Sequence, residues 1–325
     1  MKVVFDQIYL KHDPIFEHVE NSKRAEIVLK TLNEFNPEII PPIKIDVKEI
    51  YTIHDPEYVE MIRLKSKLGD DIDPDTYTNA YTFEAALSAL GGALTAYENS
   101  AIAMLRPPGH HAGIRGCALG APTQGFCIFN NMAFAVSKRR EKRIAIVDFD
   151  VHHGNGTQEI FYYDPNVLHI DIHQSPLYPG TGSVFENGGG EAKGTKVNII
   201  LPPLSSDDVM DDVFPIIEEI LSEFNPEVMA FSAGFDGYVN DGLAELALTE
   251  KTFYRYGLLG RKMKNFVVIE GGYSIGLERG LRAFVQGLLG IQEDYKGGKT
   301  SPPVRSRFEQ NLKEFKAIYS NYWGV

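Results

Sequence analysis

At 325 residues with 43% hydrophobic side chains, the chain can bury a sizeable core and a catalytic pocket without disulfide staples. Its 44 acidic against 32 basic side chains give a formal net charge of −12, which repels phosphate backbones and argues against nucleic acid as a direct partner. Cys117 and Cys127 form neither a disulfide framework nor a CxxC metal pair. No apolar run reaches the roughly 18 residues that span a bilayer, and no signal-peptide core follows Met1, so a cytoplasmic protein without a membrane partner is expected.

Met1–Phe5 reads as a short strand. Ser22 to Phe35 has helical periodicity, stopped by Asn36-Pro37. Thr82 to Tyr97, rich in Ala and Leu, predicts a second helix in which Gly91-Gly92 permits close packing. Buried strands are predicted over Arg143–Val147, Val167–Ile170, Lys196–Leu201, Val228–Phe231 and Phe266–Ile269, with helices at Asp207–Phe224, Thr249–Met263 and Leu277–Leu289. Short apolar strands alternating with helices predict an α/β fold with a mostly parallel sheet. A catalytic domain is expected over residues 1–291. Residues 292–325 are expected to be a linker and a helical appendage, docked on the domain or on a partner subunit: Lys296–Pro303 is linker chemistry and Phe308–Tyr322 is amphipathic.

In parallel sheets the site lies beyond the carboxyl ends of the strands. Three such ends carry ionisable or hydroxyl groups together with glycine: Asp148 to Gly154, Ser232 to Asp236, and Glu270 to Tyr273. In an extended chain Asp148, Asp150 and His152 share one face, where buried carboxylates need a compensating charge; a hydrated loop is the plain alternative. With Asp236 added, two carboxylates and one imidazole make a three-ligand set with a vacant position, which suits zinc and also Fe(II) or Co(II). In Arg106-Pro107-Pro108-Gly109-His110-His111 the prolines stiffen a loop bearing two histidines capable of acid/base work, although a double His alone is more often a surface or satisfied pair. Tyr273 follows two glycines and could donate to a developing oxyanion, or be an ordinary turn tyrosine. In Gly125 to Asn131, Phe126 lines a slot or packs in the core, and Asn130 or Asn131 caps the following helix.

Taken together, RPPGHHA at 106–112, GFCIFNN at 125–131, DFDVHHGNGTQ at 148–158, SPLYPGTG at 175–182, SAGFD at 232–236 and EGGY at 270–273 resemble the histone deacetylase superfamily, which includes acetylpolyamine amidohydrolases. The likeness is to the class II-like branch, because Asn155 follows His153-Gly154 where class I members usually have Asp. The resemblance implies the arginase–deacetylase fold, a parallel sheet of eight strands between helices. It implies Zn²⁺ on Asp150, His152 and Asp236, and His110 as general base oriented by Asp148. His111, near Asn155, would protonate the leaving amine, Tyr273 would polarise the acetyl carbonyl, and Gly125, Phe126 and Leu177 would flank the acyl-amine channel. A structural K⁺ or Na⁺ would match Asp148, Asp150, His152 and Asp171, partly through backbone carbonyls.

The implied reaction is hydrolysis of N-acetyl amides, with an acetylated small molecule or peptide amine as partner. A homo-oligomer is compatible with it, since an acetylpolyamine enzyme is expected to narrow its channel by dimerising. Two departures bear on the substrate: extra residues Gly113 to Gln124, and Leu177 where many members have Phe. The competing readings are an arginase-like binuclear ureohydrolase, disfavoured by Tyr238 where those members carry another Asp, and a non-catalytic acetyl-amine binding protein.

Overall fold

The computed structural model describes all residues, 1–325. In chain order its strands and helices are β1 (Lys2–Val4), α1 (Lys23–Asn33), β2 (Glu38–Ile40), α2 (Pro56–Leu68), α3 (Thr82–Asn99), β3 (Ile102–Ala103), β4 (Ala112–Gly113), β5 (Gly116–Cys117), α4 (Asn131–Ser137), β6 (Ile144–Asp148), α5 (Asn155–Ile160), β7 (Val167–Gln174), β8 (Lys196–Leu201), α6 (Asp207–Phe224), β9 (Val228–Ala233), α7 (Glu250–Gly260), β10 (Asn265–Ile269), α8 (Leu281–Leu289) and α9 (Pro302–Tyr319). The expected architecture is present: an eight-stranded parallel sheet flanked by helices, in the order β2-β1-β3-β10-β9-β6-β7-β8. No helix is long and apolar enough to cross a membrane.

By contacts the chain forms two compact units. The first comprises residues 1–140, 154–161 and 266–270. Its strands are short: β1 pairs in parallel with β2 (Val3 with Ile39) and with β3 (Val3 with Ile102), and β3 with β10 (Ile102 with Val267). Asp55 caps α2, where Pro56 occupies the first turn and Gly69 closes the far end in the left-handed conformation. Asn130 rather than Asn131 caps α4, its side chain accepting from Ala133 N at 2.8 Å.

The second unit comprises residues 141–153, 162–265 and 271–325. It holds the long strands, with β6 between β9 (Asp148 opposite Ser232) and β7 (Asp148 opposite Asp171), and β8 beyond β7. Strand β6 is buried along its whole length, so its sequence is an unbroken apolar run before Asp148. Helix α6 spans the predicted Asp207–Phe224. The predicted helix at Leu277–Leu289 begins instead with a π turn, Gly276–Gly280, and continues as α8. Residues 292–325 fall inside this unit. Tyr319 of α9 is fully buried, donates to Lys196 O at 2.6 Å and accepts from Asn198 N at 3.1 Å, so α9 ties down β8.

Candidate metal centre

Three of the expected ligands meet in the second unit. Asp150 and His152 lie just past β6 and Asp236 just past β9, all buried, each with a ligating atom within 4.8 Å of the others. His152 Nδ1 is 3.1 Å from Asp150 Oδ1 and 3.0 Å from Asp236 Oδ2. Backbone N–H groups aim the carboxylates: Gly271 N donates to Asp150 Oδ2 at 2.7 Å and Val151 N to Asp236 Oδ1 at 3.1 Å. Gly271 is required sterically, because a Cβ there would stand 2.4 Å from both Asp150 Oδ2 and Asp236 Oδ2. Burial alone would discharge His152, but hydrogen bonds to Asp150 and Asp236, and their charges, outweigh it and push its pKa up to about 9. Burial and then the Asp150 charge hold the Asp236 carboxyl above the usual range. The set therefore keeps a proton where a cation belongs, and its oxygen and nitrogen donors fit a divalent metal.

Asp148 falls in a different group. Strand β6 ends at Asp148 and the chain bends through residues 149–153, so the i, i+2, i+4 alternation expected of an extended segment stops there. Phe149 is buried in an aromatic cluster, stacked on Tyr256 with ring centroids 4.4 Å apart and packed edge-on against Phe231 and Phe235. Asp148 joins a second buried set with His169 and Asp171 of β7; of these, His169 was missed in the sequence. His169 Nε2 stands 3.9 Å from Asp148 Oδ2 and 3.6 Å from Asp171 Oδ2, while His173 Nδ1 is 2.7 Å from Asp171 Oδ1. Of the four residues expected around a monovalent cation, the side chains of Asp148 and Asp171 thus group together, and those of Asp150 and His152 belong to the first set. The two sets share no residue, whereas a binuclear ureohydrolase needs bridging carboxylates.

Tyr273 is positioned by a residue that sequence reasoning also missed. The Asp241 carboxylate accepts from the backbone N of Tyr273 (2.7 Å), Ser274 (3.0 Å) and Gly276 (2.8 Å). Gly272, at φ +111°, supplies the left-handed turn just before Tyr273. The ring against His152 is Tyr178, with centroids 6.2 Å apart, rather than its neighbour Leu177, whose carbonyl closes a turn by accepting from Gly180 N at 3.0 Å. An aromatic residue beside Pro179 was the available signal.

His110 and His111 lie in the first unit, both buried, with ring centroids 4.0 Å apart. His111 Nδ1 is 2.8 Å from Asn155 Oδ1, and the Asn155 amide N donates to Ala118 O at 2.9 Å. That second bond fixes which end of the amide faces the imidazole, so His111 carries its proton on Nδ1. The loop is fastened upstream as well: buried Arg106 bonds Glu20 through Nε (2.6 Å) and Nη2 (2.9 Å), and Arg24 bonds the same carboxylate at 3.0 Å. Gly125 and Phe126 both take left-handed backbone, costing Phe126 about 1–3 kcal/mol, and the Phe126 ring meets His18 edge-on at 4.8 Å. At the extra segment 113–124, β4 and β5 form a hairpin, and the Glu159 carboxylate accepts from Ile114 N in its loop at 2.8 Å and from Leu119 N beyond β5 at 3.3 Å.

The model of the histone deacetylase domain matches residues 18–288. A probable deacetylase of Archaeoglobus fulgidus is 36% identical, over 99% of this chain and 98% of its own length. Among solved structures, the HD domain of HDA15 superposes with a TM-score of 0.87 at 29% identity, covering 99% of this chain and 97% of its own. An acetylpolyamine aminohydrolase from Burkholderia pseudomallei gives 0.81 at 28% identity, covering 90% and 100%.

Proposed function

The chain belongs to the histone deacetylase family, and on that premise we propose that it is a zinc-dependent hydrolase of N-acetyl amides, acting on an acetylated small amine or acetyl-lysine peptide and releasing acetate. The observation that carries this reading is the buried Asp150–His152–Asp236 set, whose ligating atoms converge around the space that Gly271 leaves. When bound there, zinc polarises the acyl carbonyl and acidifies a water molecule. Fe(II) or Co(II) would suit the same donors. Asp148 and Asp171, with backbone carbonyls, would hold K⁺ or Na⁺.

His110 takes the proton of the attacking water, with Asp148 as its orienting partner, and His111 returns a proton to the departing amine. With Nδ1–H held by Asn155, His111 gives the amine its Nε2 proton from the imidazolium form, and the proton that His110 took from the water replaces it. Tyr273 donates to the carbonyl oxygen as negative charge develops on it. Phe126 supplies an aromatic wall for the acyl-amine stem, and Tyr178, beside His152, a second.

The test is a turnover panel of an acetyl-lysine peptide, an acetylpolyamine and a longer acyl-lysine, each run metal-loaded and with a chelator. Acetate release that disappears on chelation and returns with zinc is expected for at least one acetyl substrate. Tyr273→Phe should then lower kcat on the order of 10²-fold, the usual cost of one oxyanion donor. Normal turnover by that variant, or activity indifferent to complete metal removal, would overturn the mechanism.

A further inference from the structure

The EGGY segment contains a residue that the reaction above does not use. Glu270, at the end of β10, is 1% exposed. Its Oε2 accepts the backbone N–H of Gly109 at 2.9 Å and that of His110 at 3.3 Å. The His110 carbonyl is also engaged, accepting from Thr157 N at 3.1 Å. Both backbone polar groups of His110 are therefore fixed, one by a strand end and one by α5. Arg24 donates to the Glu270 carbonyl oxygen while its other nitrogen bonds Glu20, the carboxylate that also grips Arg106. The four residues from Arg106 to Gly109 thus run between two anchored ends that one guanidinium links.

We propose that Glu270 is a positioning residue for the general base, fixing the Gly109–His110 backbone so that the His110 imidazole is presented in one orientation. A carboxylate suits this role because one oxygen can accept two N–H groups, and bonds to a charged acceptor are shorter and stronger than neutral ones. A buried carboxylate is costly unless several donors meet it, so its retention in an otherwise apolar strand end points to a use. Positioning matters at this scale, because a misplacement of about 1 Å in a catalytic group can cost on the order of 10²-fold in rate.

This role rests on the deacetylase reading, and the test separates the two. Glu270→Ala removes the acceptor, and Glu270→Gln keeps one acceptor oxygen. On a small acetyl-lysine amide with zinc-loaded protein, Glu270→Ala should lose on the order of 10²-fold in kcat with KM changed by less than about 2-fold, and Glu270→Gln should recover most of the loss. Amide hydrogen exchange at Gly109 and His110 should be about 10-fold faster or more in Glu270→Ala and near wild type in Glu270→Gln. Unchanged exchange in Glu270→Ala, unchanged kcat, or an equal defect in both variants would overturn the proposal. If the wild type turns over no acyl amide, the deacetylase reading fails, while the exchange result still decides whether Glu270 holds the loop.

Discussion

Two buried acidic sites solve the same electrostatic problem in opposite ways. In the first unit, Glu20 is met by Arg106 and Arg24 and by the Tyr77 hydroxyl at 2.8 Å, so the chain supplies its own cations. Burial would raise its pKa, but the charges and hydrogen bonds of the two guanidinium groups override that and hold the carboxyl well below the usual range. In the second unit, Asp150 and Asp236 both meet His152, and Asp236 is shifted the other way, upward. A buried carboxylate pair beside a neutral imidazole is costly unless a cation compensates it. On the proposed reading, the difference separates a carboxylate compensated by the chain's own cations from a pair that a metal ion would compensate.

The largest effect should come from unbalancing the self-sufficient site. Glu20→Ala leaves two buried guanidinium groups without their shared acceptor and should cost about 3–5 kcal/mol in chemical denaturation. Because the folded pKa of Glu20 is depressed, its contribution is present above its ordinary value of about 4.3 and is lost as pH falls through the folded value. A loss below about 1 kcal/mol would mean that the arginines are served equally well by other acceptors.

A smaller effect, of opposite character, is expected at the metal set. Saturating zinc at about 100 times its dissociation constant should stabilise the protein by about 2.7 kcal/mol, and that gain should depend on pH. In metal-free protein the raised His152 pKa contributes stability that is full below about 6.5 and lost as pH rises through about 9. Metal binding displaces the proton and reverses the slope. The gap in melting temperature between loaded and metal-free protein should therefore widen from pH 6.5 to 9. A gap independent of pH would show that the ion binds without displacing that proton.

The second unit was the more legible of the two in sequence. Its strands are long apolar runs, and the ligands follow them directly, so strand ends and ligand types could be read together. In the first unit β1 and β10 were legible, but β2 and β3 were not. Strand β2 has three residues and β3 two, too few for any periodicity to register, and α2 is announced only by Asp55-Pro56. Within the site, residue types that do chemistry were recognisable, but not residues that act through backbone groups. Asp241 and Glu270 accept main-chain N–H groups, and nothing in local sequence marks an acceptor whose donors lie 32 to 161 positions away. Of the second buried set, Asp148 and Asp171 were expected together, whereas His169, inside the apolar run of β7, was not.

The smallest effect sharpens the same contrast. Arg24→Lys keeps the charge beside Glu20 but replaces a fork that spans two acceptors, the Glu20 carboxylate and the Glu270 carbonyl, with a compact ammonium that reaches one. If charge balance is what the first unit requires, the loss should be that of a single hydrogen bond, about 1 kcal/mol, against the several expected for Glu20→Ala. The zinc-dependent gain in melting temperature should be unchanged, because neither acceptor belongs to the metal set. A loss from Arg24→Lys as large as that of Glu20→Ala would mean that the geometry of the fork, rather than its charge, keeps the acid buried.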